Sequence, residues 1–517
     1  MGTATITTFS AMKERSVSFC RSNGLQSVSG VATIINMTQF KSLNDHARDV
    51  KHLQKLLTSH FQQGSLSLGT SNSHTLRNAE YKKSANALDL ERLSSLIAID
   101  KEARTVTLEP KVTMRDLVTA TLDYNLIPPV VPEFKSITVG GAINGAALET
   151  TSHQYGQFND TCLEYELLLA NGTLLKASAD NHPDLFYGVS GSYGTLAIIT
   201  LITLKLIPAS KGVHLNFSRF ESPKELILAM RDLLKKEKRP SIIEGGVLAP
   251  NWAVLITGQY VDIFKSGITF HQKKYWDPWY HQQMTEVTKN HLHAECDMPL
   301  QDYLFRFDRA AFWMGRFLLS PSTILQVICK WKLPKMLSKI GRNAAKLTPT
   351  SHPSFLFRLL FGWALSSKRL YKVWHQVPRE ISENFFFIHD FYTPASKALE
   401  AYTYLNEKTG IFPIWLCPIR PTQTPQILAP HHSKSKEFLI NIGVYGIPSS
   451  PHSIPSLTAS SEQAIFDFGG KKMLYSHCYF SPELFSKTYN LPRYEALCKK
   501  YFSSKVFIPI YNKVTNK

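Results

Sequence analysis

The chain has 517 residues, which exceeds the about 250–300 residues that one hydrophobic core accommodates, so more than one domain is expected. Hydrophobic residues make up 44% of the sequence, which excludes a disordered protein. Its 58 Lys and Arg against 40 Asp and Glu give a net charge of +18, which indicates an anionic partner: nucleic acid, an anionic membrane or a phosphorylated cofactor. The seven cysteines form no CxxC pair, so we expect free thiols in a reducing compartment rather than disulfides or a metal site.

The first segment, residues 1–30, is polar and weakly patterned, and it predicts a loosely ordered extension. It lacks the apolar core of a signal peptide, so no leader is expected. No run of about 18 uncharged apolar residues follows in the sequence, and a transmembrane helix is therefore not expected either.

Helices and short strands are predicted over the next hundred residues. Apolar residues recur at helical spacing between Val50 and Phe61, which indicates an amphipathic helix. The runs SLSLG, LDLERLSSLIAID and RTVTLEP read as short strands. A second amphipathic helix is predicted in VTMRDLVTATLDYN, with an apolar face formed by Met114, Leu117, Val118 and Leu122.

Two runs of small residues stand out, GTSNS at 69–73 and TVGGAING at 138–145. Their glycine content predicts loops rather than helices, and glycine backbones with free N–H groups can bind anions. Neither run belongs to a GxGxxG or GxxxxGK[ST] motif, so neither a Rossmann site nor a P-loop is indicated. Their chemistry alone fits a phosphate-bearing cofactor and ordinary structural turns equally well.

The following segment is predicted to be rich in strands. YELLLANGTLLKA predicts a hairpin that turns at Asn171-Gly172, and GSYGTLAIITLITLKLIP predicts a long strand that ends at Pro208. Beyond this point the strands VLAPNWAVLITGQYV, FPIWLCPI and EFLINIGVYG alternate with basic, aromatic helical segments. We therefore expect a domain boundary near residues 208–212.

The order of these motifs resembles the FAD-binding domain of the vanillyl-alcohol-oxidase superfamily, over roughly residues 45–208. The resemblance implies an α+β protein with an extension at 1–30, a two-subdomain FAD-binding domain of the PCMH type at 31–208, and an α+β cap or substrate domain at 209–517. Asn72 falls where that family has its covalent flavin histidine, which implies that FAD is bound non-covalently.

The resemblance also implies a set of cofactor contacts. The expected FAD-binding residues are Gly69, Thr70, Ser71, Asn72, Ser73, Thr138, Val139, Gly140, Gly141, Gly145, Ser152, His153, Gly194, Thr195 and Ile198. In this set the glycines allow close backbone approach, and Thr138 and Ser152 supply hydroxyls. For His153, a position beside the flavin and a structural role at loop carbonyls are both consistent with the sequence.

Other motifs resemble the delta-24-sterol reductase family, the Diminuto-type flavoproteins. They include PPVVPEFKSITVGGAINGAALETTSHQYG, PLQDYLFRFDRAAFW, FPIWLCPI and KMLYSHCYFSPELF, and they span about residues 76–510. The resemblance implies NADPH-dependent reduction of a side-chain double bond in a sterol or related isoprenoid lipid.

Such a reaction needs a proton donor, because an isolated alkene has no carbonyl to stabilise a carbanion. The protein must therefore place an acid in an apolar pocket. The candidates are Tyr445, His477 and Tyr479, although tyrosines in strand-like runs are also common core residues. Cys417 and Cys478 either line this pocket or, more commonly for such thiols, are buried and inert.

Two arginines in FRFDRAAFW have two possible kinds of partner. Arg306 and Arg309 suit the phosphates of a pyridine nucleotide or flavin. They equally suit ordinary ion pairs with Asp302 and Asp308.

Residues 315–375 contain no Asp or Glu but many Lys and Arg among Leu, Ile, Phe and Trp. This composition is typical of a helix that lies on an anionic membrane surface. It predicts a cytoplasmic, peripherally membrane-associated protein that takes its substrate from lipid. A packed cap helix is the alternative, and a nucleic-acid surface is disfavoured because no binding signature accompanies it.

Two other functions fit the superfamily. One is an FAD-linked oxidase of an alcohol or lactone, and the other is a non-catalytic lipid-binding protein on a flavoprotein fold. Flavin absorbance and anaerobic reduction by NADPH would distinguish them from the reductase.

Overall fold

The computed structural model describes residues 40–60, 66–69, 74–77, 87–318, 355–376, 385–449 and 453–515. The predicted extension, residues 70–73 of the first small-residue run and residues 319–354 of the basic segment lie outside this part. The strands are β1 (Ser67–Gly69), β2 (Ala87–Asp89), β3 (Leu96–Asp100), β4 (Thr105–Leu108), β5 (Leu126–Ile127), β6 (Cys162–Leu168), β7 (Leu174–Ser178), β8 (Ile198–Lys205), β9 (Ile207–Pro208), β10 (Gly212–Phe220), β11 (Ile242–Ala249), β12 (Trp252–Val261), β13 (His293–Pro299), β14 (Phe387–Pro394), β15 (Ile414–Ile419), β16 (Leu439–Gly446) and β17 (Lys471–Lys472).

Helices cover much of the remaining described sequence. The α-helices are Leu43–His60, Met114–Leu122, Val139–Gly145, Ser152–Tyr155, Pro183–Val189, Pro223–Lys235, Tyr280–Thr288, Leu300–Leu304, Gly315–Leu318, Phe355–Phe361, Ser367–Trp374, Ala398–Thr409, Ile454–Asp467, Pro482–Tyr489, Leu491–Lys500 and Ile510–Thr515. Short 3-10 helices are Phe158–Thr161, Gly362–Ala364, Ala395–Lys397 and Ser503–Lys505. Among the helices that the structure describes, none is both long and apolar enough to cross a bilayer.

The first sheet is antiparallel, with strand order β3-β4-β8-β6-β7. The predicted hairpin is confirmed: β6 and β7 pair, and the N–H of Leu169 donates to the carbonyl of Thr173 across the turn at 2.8 Å. The two predicted amphipathic helices are also confirmed. The second begins at a cap, where the N–H of Asp116 donates to Thr113 Oγ1, and its apolar face is buried.

The run TVGGAING corrects one prediction, because residues Val139–Gly145 form a short helix and not a loop. Thr138 caps this helix, accepting the N–H of Gly141 at 3.2 Å. Val139, Ala142 and Ile143 are buried in the core. This i, i+3, i+4 spacing stabilises the helix despite its glycines, since tertiary packing outweighs a propensity cost of about 1 kcal/mol per glycine.

The second sheet has eight strands in the order β13-β10-β12-β11-β15-β16-β14-β17. The run VLAPNWAVLITGQYV, predicted as one strand, is instead the end of β11, a turn and β12. The residues of strand β16 illustrate that only one face of this sheet packs against the helices at Ala398–Thr409 and Ile454–Asp467. Its residues Ile440, Ile442 and Val444 join a core with Leu405 and Leu457 of two helices, so the alternate residues face the other way.

The two large sheets are joined in sequence by a short connection. β9 ends at Pro208 and β10 begins at Gly212, so the polypeptide passes to the second sheet where the domain boundary is predicted. The α+β class is confirmed by this mixture of helices and largely antiparallel sheets. The division into domains stays a prediction.

Candidate functional site

Three of the predicted flavin segments lie together in the structure. The side-chain amide of Asn144 joins two of them: its Oδ1 accepts the N–H of Gly194 at 2.8 Å and the hydroxyl of Ser192 at 3.0 Å. A Cβ on Gly194 would lie 2.6 Å from Leu68 of β1, so the third segment is in direct contact. The positive φ of Gly194, 71°, permits this close approach.

The Val139–Gly145 helix presents a face without side chains. A Cβ on Gly141 would meet only the hydroxyl of Thr138, and one on Gly145 would meet only the Tyr193 ring at 4.0 Å. Gly140 differs, because it packs against Pro110 on the buried side. Exposed glycine backbone of this kind lets a flat group approach closely.

Arg77 is a residue that the sequence analysis missed. Its side chain is buried, its Nη1 donates to the carbonyl of Leu474 at 2.8 Å, and its guanidinium lies 4.7 Å from the centre of the Tyr193 ring. Among the described residues, its Nε has no hydrogen-bond partner. The Tyr193 ring lies between Arg77 and Gly145 of the glycine helix, and a cationic side chain with one unpartnered N–H at this place fits an anionic cofactor such as FAD.

Four other predicted cofactor contacts are buried and bonded to or packed against protein. His153 contacts two backbone carbonyls, of Thr150 at 2.8 Å through Nδ1 and of Pro240 at 2.9 Å through Nε2. Ser152 Oγ accepts the N–H of Glu149, and the hydroxyls of Thr195 and Tyr494 lie 2.7 Å apart. The fourth residue, Ile198, is buried in a hydrophobic cluster against which Leu68 of β1 packs. The geometry of His153 matches the structural alternative, and the cofactor roles of these four residues stay predictions.

The two arginines of FRFDRAAFW have partners other than those considered from the sequence. Arg306 is fully buried, and its Nη2 donates to Glu149 at 3.1 Å and to Glu244 at 3.0 Å. Among the described residues, Arg306 therefore forms its ion pairs with two glutamates rather than with Asp302 or Asp308, and phosphate binding stays a prediction. Arg309 Nη2 donates to the backbone carbonyl of Gln272 at 2.9 Å.

The Glu149–Arg306–Glu244 cluster places two buried carboxylates against one guanidinium. Burial raises the pKa of Glu149, and the neighbouring Glu244 raises it further, because one guanidinium serves two carboxylates. Glu244 also accepts the indole N–H of Trp415 at 2.9 Å and the hydroxyl of Tyr280 at 3.0 Å. Both carboxylates are thus hydrogen-bonded inside the protein, and Nε of Arg306 has no hydrogen-bond partner among the described residues.

The predicted acid Tyr445 lies on the face of the eight-stranded sheet that is opposite the helices. Its hydroxyl donates to Asp390 Oδ1 at 2.7 Å, Asn441 Nδ2 donates to the same oxygen at 2.6 Å, and the Tyr475 hydroxyl lies 2.8 Å from Oδ2. Burial raises the pKa of Asp390 and of both tyrosines. Sequence reasoning missed Asp390 and Tyr475, although Tyr475 lies within the quoted run KMLYSHCYF.

His477 and Tyr479 lie elsewhere. Both line a small pocket that also includes His389, whose ring contacts Thr458 on the helix-covered side of the sheet. Their backbone is held by a fully buried ion pair between Lys472 and Glu462. These two candidates therefore line the pocket, whereas Tyr445 is bonded to Asp390.

Aromatic rings surround the Asp390 group. The centre of the Phe312 ring lies 5.2 Å from that of Tyr445 and 6.0 Å from that of Phe134. Trp313 Nε1 donates a hydrogen bond to the backbone carbonyl of Tyr445 at 2.9 Å. Three successive residues, 310–312, have positive φ, an uncommon conformation that is often found at functional sites. The polar groups are thus enclosed by an apolar wall.

Glu133 is a further carboxyl group of this region. Its pKa is raised to about 8, mainly by burial. The negative charges of Glu149 and Asp390 raise it further, by smaller amounts. The pKa of Tyr371 is raised by burial first and then by both Glu133 and Asp390. Glu133, Tyr371 and Asp390 therefore act on one another within a region bordered by aromatic rings.

Cys417 and Cys478 are both buried, and burial raises the pKa of each thiol. Their protonated state agrees with the expectation of inert thiols.

Comparisons with known proteins agree with this geometry. Residues 46–178 match the family model described as an FAD binding domain. The chain is 28% identical over 477 residues to the "Delta(24)-sterol reductase" of Macaca fascicularis, and equally to that of Homo sapiens, covering 91% of this chain and 86% of each relative. The protein of the same name from Pisum sativum is 27% identical, over 85% of this chain and 78% of its own length. The predicted resemblance to the delta-24-sterol reductase family and the predicted cofactor FAD are confirmed.

Proposed function

Since this protein is related to the delta(24)-sterol reductases over 91% of its length and has an FAD-binding domain, we propose that it is an FAD-dependent reductase of a double bond in the side chain of a sterol or related isoprenoid lipid. The observation that carries the proposal is this relationship along almost the whole sequence, including the sheet that bears Asp390 and Tyr445. We propose NADPH as the electron donor.

We further propose the two-part architecture implied by the superfamily. Residues 31–208 would form the FAD-binding domain from two subdomains, and 209–517 would form the cap. The change of sheet between Pro208 and Gly212 supports this division. The buried cluster of Glu149 with Arg306 and Glu244 would then join the two domains.

FAD would be held non-covalently against the glycine face of the Val139–Gly145 helix, with Arg77 as a cationic partner. The residues of the first small-residue run, 69–73, would complete the cradle. When bound, FAD supplies hydride-transfer chemistry. The protein contributes position, exclusion of water and a proton, because the aromatic wall around Asp390 keeps the reacting alkene away from bulk solvent.

The lipid substrate implies contact with a membrane, and a surface of the described residues supports it. Phe355, Leu356, Leu360 and Trp363 are exposed, although they are large and apolar. Exposed cations follow at Lys368, Arg369 and Lys372. We propose that this surface, residues 355–374, rests on an anionic, cytoplasmic membrane face, with its apolar side chains in the lipid and its cations at the headgroups.

The experiment that tests the function is an anaerobic assay that is run with two different reductants. The purified protein is loaded with FAD and reduced either with NADPH or with dithionite, and desmosterol is then added. We expect oxidation of the flavin and a gain of two hydrogens in the sterol side chain by mass spectrometry. Cholesterol, whose side chain is already saturated, is the matched control and should leave the flavin reduced.

The two reductants give different information. If dithionite-reduced protein does not convert desmosterol, the proposed reaction is wrong. If it converts desmosterol but NADPH does not reduce the flavin, only the proposed donor is wrong. Rapid reoxidation by oxygen combined with oxidation of an alcohol would instead identify the oxidase.

A further inference from the structure

The segment that follows strand β12, residues 263–275, exposes several large apolar side chains. Ile263 is 71% exposed, Ile268 47%, Phe264 39% and Tyr275 37%. A single exposed apolar side chain is ordinary on a protein surface, but a group of four in one short segment is typical of a contact surface. This segment, called the 263–275 loop below, therefore requires a partner.

Hydrogen bonds to the edge strand β13 hold this loop in place. The N–H of Ser266 donates to Asp297 Oδ2 at 2.6 Å, and the N–H of Asp297 donates to the carbonyl of Ile268 at 2.9 Å. Phe270, whose side chain is buried, donates its N–H to the carbonyl of Asp297 at 2.9 Å. The exposed side chains are therefore presented by a backbone that is bonded to the sheet.

The loop also adjoins the surface formed by residues 355–374. Arg358 Nε donates to the carbonyl of Trp276 at 2.9 Å. Gly362 packs directly against the backbone of Tyr275, because a Cβ at position 362 would overlap the carbonyl of that tyrosine. The exposed side chains of the two segments thus belong to adjoining parts of the protein surface.

The strand register places the start of the loop at one end of the eight-stranded sheet. Gly212, the first residue of β10, pairs with Val261 at the end of β12 and with Pro299 at the end of β13. The loop follows Val261 and therefore begins at this end. Leu292 precedes β13 at its opposite end, about 20 Å away along the strand. This exposed leucine provides a comparison at a different place on the surface.

The charges around these side chains indicate the kind of partner. Residues 263–275 and 355–374 contain no Asp or Glu. Exposed cations lie among the apolar side chains of both segments, and they are Lys265, Lys273, Lys274, Lys368, Arg369 and Lys372. A second copy of this surface would be repelled by the same charges, whereas an anionic bilayer offers negative headgroups to the cations and acyl chains to the apolar side chains.

We propose that the 263–275 loop is a second lipid-contacting element, which enters an anionic bilayer beside residues 355–374. This inference rests on the membrane contact proposed above and adds to it a separate segment of the chain. Ile263 and Ile268 enter the acyl region, and Lys265 stays among the headgroups. Two bonded elements in the lipid fix the orientation of the protein on the membrane, which a single interfacial helix does not.

The test is co-sedimentation of the FAD-loaded full-length protein with vesicles of equal parts phosphatidylcholine and phosphatidylserine. Ile263→Glu/Ile268→Glu should lower the partition coefficient about tenfold or more, because two apolar side chains no longer enter the lipid. The matched control, Leu228→Glu/Leu292→Glu, adds the same two charges at leucines that are 39% and 60% exposed and should keep most of the binding. A loop variant that binds as well as this control would overturn the proposal.

A second measurement reports insertion directly. Ile263→Trp adds one indole, whose emission, taken as the difference from wild type, should be quenched by vesicles of the same headgroups with brominated acyl chains. The emission added by Leu292→Trp should not be quenched. Absence of quenching in Ile263→Trp would overturn the proposal. Self-association without vesicles that Ile263→Glu/Ile268→Glu abolishes would do so too, since it would identify a second copy as the occupant.

These outcomes are distinct from failure of the proposed reaction. If wild-type protein does not reduce desmosterol delivered in cyclodextrin but binds vesicles through the loop, the reductase function is wrong and the loop contact is supported. If Leu356→Glu/Leu360→Glu binds like wild type while the loop variant does not, the loop is supported and only the contact of residues 355–374 is wrong.

Discussion

A single glycine makes the Asp390 arrangement possible. Gly443 of β16 lies opposite Asp390 of β14 in the sheet register, and Tyr445 lies two residues further on the same face. A Cβ at position 443 would be 2.3 Å from the hydroxyl of Tyr445 and 3.0 Å from Asp390 Oδ1. The tyrosine can fold back over this position only because it has no side chain.

We predict that Gly443→Ala lowers the free energy of unfolding by about 1–3 kcal/mol, because the new methyl group displaces the Tyr445 ring from Asp390. Denaturant titration measures the change. In the Tyr445→Leu background, which removes the two nearest atoms and leaves only Asp390 Oδ1 at 3.0 Å, the same substitution should cost less. The matched control is Gly267→Ala, since a Cβ at Gly267 meets no atom within 4 Å. Equal costs for both glycines would contradict the prediction.

The Phe355–Phe361 and Ser367–Trp374 helices lie in a region that exposes several large apolar side chains to solvent. Arg358 attaches the first to the protein by donating to the carbonyl of Trp276 at 2.9 Å, and Leu370 buries one side of the second. Phe355, Leu356 and Leu360 of the first helix are exposed, and the guanidinium of Arg369 lies 5.2 Å from the centre of the exposed Trp363 ring. An exposed apolar surface bordered by cations is typical of a membrane contact.

We predict that Leu356→Glu/Leu360→Glu reduces binding to phosphatidylserine-containing vesicles more than tenfold, because two side chains worth about 1.5–3 kcal/mol each would no longer enter the lipid. Co-sedimentation measures the bound fraction. Leu292→Glu is the control, since Leu292 and Leu356 are similarly exposed, at 60% and 62%. Binding should also weaken with added salt. A double variant that sediments like the wild type would exclude this surface as the contact.

At the scale of the whole molecule, polar contacts between distant parts of the sequence organise the site. The Glu149–Arg306 and Arg306–Glu244 pairs join a segment near the glycine helix to the eight-stranded sheet. Gln157 Nε2 donates to the Tyr392 hydroxyl of β14 at 2.8 Å, and His431 pairs with Asp160 at 2.6 Å. These contacts hold the Asp390 face of the sheet beside the predicted flavin segments.

We predict that Arg306→Met destabilises the protein by about 3–5 kcal/mol at neutral pH, because two buried carboxylates lose their cation. Since the folded pKa of Glu149 is raised above 4.5, the folded state binds more protons than the unfolded state above that pH, and stability falls as the pH rises. Denaturation at pH 5.5 and 8 should therefore show a smaller loss at the lower pH.

Two further variants test this explanation. Glu149→Gln/Glu244→Gln in the Arg306→Met background should recover most of the stability, since these three positions then carry no buried charge. Lys235→Met, which breaks an exposed pair with Asp232, should have no measurable effect. A pH-independent loss in Arg306→Met would mean that packing rather than charge holds this region.

Local patterns in the sequence were sufficient for most of the elements and for the resemblance to the family. Apolar spacing predicted the Leu43–His60 and Met114–Leu122 helices, the Asn-Gly pair predicted the β6–β7 hairpin, and the order of the motifs predicted FAD, because each of these depends on neighbouring residues only. The run TVGGAING was misjudged because the packing that stabilises its helix comes from other segments.

The site required the tertiary structure. Arg306 meets Glu149 and Glu244 across 157 and 62 residues, and Asp390 meets Tyr475 across 85, so no local spacing relates them. Strand alternation indicates that Tyr445 and Val444 face opposite ways, but only the packed helices decide which face is buried against them. Charge and acidity at this site follow from burial, and burial is a property of the folded protein as a whole.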